Sequence, residues 1–186
     1  NTADEVANFL MECKKDLLVA TIIPTTEAAY KQFVVENKKP LWVKENGKVQ
    51  QVLNPLYKEI SLTDKNGNEQ IKIVDGQAVG AGSLANVSNP ANTTFKTEDY
   101  FAKAKGLNKG EVYVSTVAGN YIDKAAFEKG QRFAGIIRMA TPVFSKDGFA
   151  GVLSVAIDYR HLAKFTDQIV PTQSERIFET DAKSGN

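Results

Sequence analysis

The sequence predicts an α+β protein in which helices cover one face of an antiparallel sheet. Three observations predict it. Apolar side chains between residues 3 and 23 recur at helical spacing: Val6, Phe9, Leu10, Cys13, Leu17, Leu18 and Ile22. Four turn dipeptides (Asn46-Gly47, Asn66-Gly67, Asp75-Gly76 and Asp147-Gly148) then punctuate β-prone segments. Those segments are joined by tight turns, which argues against a doubly wound parallel sheet.

The leading helix carries Asp4 and Glu5 where a first turn favours acids, and Pro24 interrupts it. Thr25 or Thr26 can cap a second helix running to about Lys38, with Tyr30, Phe33 and Val34 as its apolar side and Pro40 closing the helical region. Ile60–Thr63 and Ile71–Val74 alternate on either side of Asp64–Glu69 and predict a hairpin. Residues 76–97, rich in Gly, Ala, Ser, Asn and Thr, read as a long surface loop. Thr97 is the expected N-cap of a short helix to Lys105, with Tyr100 and Phe101 inward and Gly106 ending it. Glu111–Val117 predicts a strand. Gly135–Phe144 and Gly151–Tyr159 predict a second hairpin, its turn of the type I′ kind expected for Asp-Gly and Asn-Gly pairs. Leu162, Phe165 and Ile169 then mark an exit helix ended by Pro171. The expected organisation is a helical region over 1–39, a sensor-sized domain over 40–171 and, over 172–186, a polar linker or the lead-in to a further segment.

Composition excludes several function classes. A net charge of +1 offers no basic surface for nucleic acid. The only cysteine, Cys13, sits at an apolar helical position and reads as a small core residue. The only histidine, His161, reads as a surface residue at the start of the exit helix; without it no Ser-His-Asp triad can be assembled. No metal site or cofactor is expected from so few ligating side chains. Gly80–Ala85 only faintly echoes a dinucleotide loop and lacks the flanking strand and helix. Asp64–Glu69 lacks the spacing of a calcium loop and is explained as a turn. No uninterrupted apolar stretch reaches the ~18 residues of a membrane span.

Three blocks stand in an order that resembles Cache sensor domains, a PAS-like family of bacterial receptors. They are Leu53–Glu69, read as an opening hairpin; Gly110–Ser115; and Arg138–Phe144 with Asp147-Gly148 and Gly151–Leu162, read as a closing hairpin and exit helix. The resemblance implies a central antiparallel sheet of five to six strands, with the long N-terminal helix packed behind it and the exit helix after it. It implies an extracytoplasmic ligand-binding domain, periplasmic or extracellular, of an inner-membrane receptor: a chemoreceptor or sensor histidine kinase, flanked by transmembrane helices. No enzymatic activity is expected. The alternative is a periplasmic small-molecule binding protein that does not signal. Amino-acid-binding members carry an aspartate on the last strand that holds the ligand's ammonium. Ala156 stands at that position here, which argues against an α-amino acid.

Strand alternation nominates the ligand face. Ser154, Ala156 and Asp158 share one side of the last strand, and Leu153, Val155 and Ile157 the side under the long helix. Arg138 shares its face with Ile136 and Ala140, and Tyr113 with Ser115. Arg138 is the candidate partner of a short ligand carboxylate. Tyr113, Ser115, Tyr121 and Ser154 are the candidate hydrogen-bonding residues, and Tyr100 and Phe133 the apolar wall. On this reading Arg138→Ala abolishes binding without unfolding the domain. The apolar stripe of residues 6–22 suits either the core or a homodimer through the N-terminal helix.

Overall fold

Helix α1 (Thr2–Ala20) turns Phe9, Cys13, Leu17 and Ala20 inward, one residue from each successive turn. Helical hydrogen bonding runs on as far as Ile22, and Pro24, which has no N–H, follows in the bend to α2 (Glu27–Glu36). The Thr26 hydroxyl caps α2 by accepting from the Ala29 N–H at 3.1 Å. At its other end the Asn37 side-chain amide donates to the Phe33 carbonyl at 2.7 Å. The computed structural model describes residues 2–120, 134–163 and 165.

Two strands follow that the sequence reading left unassigned. β1 (Lys38–Glu45) and β2 (Lys48–Pro55) form a separate two-stranded ribbon. Pro40, expected merely to end the helical region, sits within β1. The ribbon turns on Asn46 and Gly47, both at positive φ (51° and 78°), as a type I′ turn requires.

The main sheet comprises β3 (Tyr57–Thr63), β4 (Glu69–Val74), β5 (Gln77–Ala78), β6 (Tyr113–Asn120), β7 (Ala134–Ser145) and β8 (Gly148–Asp158). Its order is β5-β4-β3-β8-β7-β6, antiparallel throughout. Both expected hairpins form, as β3–β4 and β7–β8. Asp75-Gly76 makes a second turn with both residues at positive φ. At Asn66-Gly67 and Asp147-Gly148 only the glycine is left-handed, so these are not type I′ turns. Asp64 opens the first of them, and its carboxylate accepts from the Asn66 and Asn68 N–H groups. The stretch 76–97 contains β5, two short 3₁₀ turns and a bridge from Asn86 to Asn68, and is more structured than a loop.

One face of the sheet is hydrocarbon. Ile60, Ile73, Ile137, Met139, Leu153, Val155 and Ile157 pack with Leu17, Phe33 and Tyr57 under α1 and α2. Complete burial of a side chain such as Leu17 contributes about 2 kcal/mol. Cys13 lies in this core, where burial pushes its thiol up to about 12. The stripe left open between core and dimer is therefore core at Phe9, Cys13 and Leu17.

The opposite face is polar. It presents Glu59, Ser61, Thr63, Arg138 and Ser154, all buried. Helix α3 (Tyr100–Lys105) covers part of it through a smaller cluster with Phe101, Ala104, Ala140 and Val152. Asp99, not Thr97, precedes this helix, and no side chain caps it. The alternation expected for β8 holds, with Leu153, Val155 and Ile157 in the main core and Ser154 and Ala156 on the α3 side.

After β8 comes α4 (Arg160–Ala163). His161 is fully buried, not a surface residue. Its Nε2 lies 3.1 Å from the Pro55 carbonyl, so the end of β2, unrecognised in the sequence, encloses it. Ile169, Pro171 and the tail 172–186 lie outside the described residues. No helix among the described residues is long and apolar enough to cross a membrane.

Gly151 on β8 has no room for a side chain, because a Cβ there would overlap the Thr63 carbonyl oxygen. Gly151→Ala is therefore expected to destabilise the fold by about 2 kcal/mol or more, read as a lower urea midpoint with unchanged slope.

Candidate functional site

The polar face owes its composition to two β-bulges. Between Tyr57 and Glu59 the register of β3 against β8 shifts by one residue. Tyr57 thus enters the hydrocarbon core while Glu59, two residues on, points to the other side. Regular alternation would have put both on one face. In β6 the register shifts between Val114 and Val117, so that both valines face the core. At this bulge the Ser115 hydroxyl accepts the Arg138 backbone N–H at 2.8 Å.

Arg138 projects from β7 into the space between these bulges and is 1% exposed. Its Nε and Nη2 donate to the two oxygens of Glu98 at 2.9 and 3.1 Å, a bidentate pair. Nη1 and Nη2 both reach Glu59 Oε1 at 3.3 Å. The guanidinium lies over the Tyr100 ring, 4.7 Å from its centroid. Glu59 also accepts from the Thr94 hydroxyl at 2.8 Å. Lys72 lies 3.1 Å from Glu69 and 3.8 Å from Glu59. One network thus ties β3, β4, β7, the 94–98 segment and α3.

Burial works against ionisation of Glu59. The charges of Arg138 and Lys72, with hydrogen bonds from Thr94 and Arg138, more than offset it and hold the carboxyl below its ordinary 4.5. Burial also opposes the charge on Arg138, but Glu59, Tyr100 and Glu98 push its pKa above the usual arginine range. Tyr100 is pushed up to about 12, chiefly by burial.

Beside this network opens a cleft of about 220 Å³ between α3 and the β6–β7 edge. Arg138, Tyr100, Tyr113 and Ser115, all expected from the sequence, line it together. Ser154 does not: it is fully buried under the network, its hydroxyl 3.0 Å from that of Ser61. Tyr121 and Phe133 lie outside the described residues. The larger difference concerns Arg138, whose fork is filled by Glu59 and Glu98 where the sequence reading set a ligand carboxylate. Sequence reasoning missed Glu59, Phe95, Glu98 and Asp99. The two acids of Thr97-Glu98-Asp99 looked like the first turn of a helix; instead Glu98 turns inward to Arg138. Asp99 lines the cleft and accepts from the Tyr113 hydroxyl at 3.3 Å.

No family model matches the sequence, and no curated protein matches it. Solved structures do match in fold. The extracellular domain of the putative histidine kinase vpHK1S-Z8 superposes with a TM-score of 0.51 at 19% identity, over 88% of this chain and 55% of that one. A domain of a putative sensory box/GGDEF family protein from Vibrio parahaemolyticus gives 0.51 at 19%, over 88% and 58%. The ligand-binding domain of the Campylobacter jejuni chemoreceptor Tlp3, in complex with 4-methylisoleucine, gives 0.55 at 14%, over 89% and 57%. The chain thus has the fold of extracellular sensory domains and spans a little over half the length of each.

Removing Arg138 would leave two buried carboxylates facing each other. Arg138→Ala is therefore expected to cost about 3–5 kcal/mol of stability, where the sequence reading expected it to abolish binding without unfolding the domain. A carboxyl lowered in the folded state adds stability above its ordinary pKa and loses it as pH falls through the lowered value. The urea midpoint should fall as pH drops below 4.5, and Glu59→Gln should flatten that dependence. Asp16 works in the opposite sense: burial raises its pKa despite the hydrogen bond from Tyr57. The Glu59 variant separates the two contributions.

Proposed function

We propose that this chain is the extracytoplasmic ligand-binding module of a transmembrane signalling receptor, a chemoreceptor or sensor histidine kinase, and that it binds a compact small molecule in the cleft beside Arg138. The observation that carries the proposal is the polar sheet face. Five buried polar or charged side chains occupy a surface that packing alone would fill with hydrocarbon. A cleft opens beside them, lined by aromatic rings and by hydroxyl and carboxylate groups. The fold shared with extracellular sensory domains supports the same reading, as does the Tlp3 domain, which holds a small ligand. Its volume lies below the ~300–1,000 Å³ of drug-sized sites, which favours a ligand of few heavy atoms. In this reading the chain catalyses no reaction. Its only histidine is buried against β2, away from the cleft.

Signalling in this reading is a shift between two arrangements. A ligand can bias them only through unequal affinity. The 94–100 segment is the element to bias: its Glu98 and Tyr100 grip Arg138 while Asp99 meets the cleft. Strands β7 and β8 lie between that segment and α1, so a change in their seating reaches the N-terminal helix through packed side chains. Flanking membrane helices would carry it onward. Two modules would pair along Met11, Val19 and Ile22, which stay exposed.

Two measurements test this. Native mass spectrometry of the purified chain should show a retained small molecule, or one acquired from a metabolite mixture. Ala118→Trp, which fills the cleft, should abolish that binding with little change in melting temperature; undiminished binding overturns the placement. Sedimentation equilibrium should show a dimer that Met11→Glu dissociates; a monomeric wild type overturns the pairing.

A further inference from the structure

We propose that the cleft selects a small organic cation, a compact amine or ammonium compound, and not a carboxylate. The inference rests on the reading of the cleft as a ligand site and adds the chemical class.

The guanidinium of Arg138 is already spent. Glu98 and Glu59 take four of its hydrogen bonds, and their side chains are 6% and 1% exposed. A ligand carboxylate could take their place only by leaving one of them buried and unpaired. That exchange is strongly unfavourable, because removing one partner from a buried ion pair leaves an uncompensated charge.

The charge balance around the cleft is negative. Of the charged groups that line it, Arg138 stands with Glu98 and Asp99, one cation against two carboxylates. Of these acids, Asp99 has no basic partner among the described residues. It is exposed, and among the described residues its carboxylate holds only the Tyr113 hydroxyl. An arriving cation would find this carboxylate available without breaking an existing ion pair.

Phe95, Tyr100 and Tyr113 supply the aromatic part of the lining. Aromatic rings attract cations and tolerate the alkyl groups an organic cation carries. The protein already uses this chemistry for its own cation, where Arg138 rests on Tyr100. Ser115 and Thr97 add hydroxyl groups for N–H donors.

Calorimetric titration of the chain with ethylammonium, ethanolammonium and tetramethylammonium chlorides, against sodium acetate, sodium propionate and calcium chloride, tests the class. At least one ammonium salt should bind, and Asp99→Asn should weaken it by about tenfold or more, equivalent to about 1.4 kcal/mol. The substitution lies at an exposed residue and should leave the melting temperature in place. Acetate, propionate and calcium should give no saturable heat. Binding of acetate or propionate that Ala118→Trp abolishes would overturn the cation assignment and leave the cleft standing. Ammonium binding that survives Ala118→Trp would overturn both. No heat from any ammonium salt, or equal affinity for calcium, overturns the assignment alone.

Discussion

The buried contact of Arg138 with Glu59 and Glu98 is the constraint around which the polar half of the molecule is arranged. A guanidinium cannot shed its charge in the interior, so it must be matched by anions with hydrogen-bonding geometry. Two carboxylates from distant parts of the chain meet it, one on β3 and one ahead of α3. The second anchors the 94–98 segment to the sheet, and that segment forms one wall of the cleft. Tyr100 closes over the same cation from α3. The shape of the cleft therefore depends on where the ion cluster holds its lid, and the charge of the cleft on what the cluster leaves over.

Two bulges make this cluster possible. A strictly alternating β3 would send Glu59 into the layer under α1, among isoleucines, where no cation waits. The extra residue reverses its direction while Tyr57 stays in hydrocarbon, stacked on Phe33 at 5.2 Å. In β6 the corresponding shift brings Ser115 to the backbone of Arg138. Irregularity in both strands is how a sheet with one largely apolar face acquires a charged other face without losing its core.

Much of the fold was legible in the sequence because it follows from local chemistry. Helical spacing located α1, Thr26 capped α2, and period-two alternation assigned the two faces of β8. Four of the seven nominated residues line the cleft for the same reason. What escaped was non-local or irregular. The partners of Arg138 stand 40 and 79 residues away, and no pattern near them marks the pairing. Both faces of the β1–β2 ribbon carry apolar residues, so its alternation was invisible and only Asn46-Gly47 announced it. Missing that ribbon also misplaced His161, whose cover is the end of β2. Ser154 was assigned to the right face but not to the right depth, since alternation gives direction and says nothing of what lies above.

The ribbon has a practical corollary for spectroscopy. Trp42, the chain's single tryptophan, sits on its outer face at 69% exposure, beside Pro40 and Leu53. An indole already in water has little hydration left to gain when the core melts. Its emission is accordingly a local gauge of whatever touches the ribbon, while the unfolding of the main sheet is better followed through backbone circular dichroism.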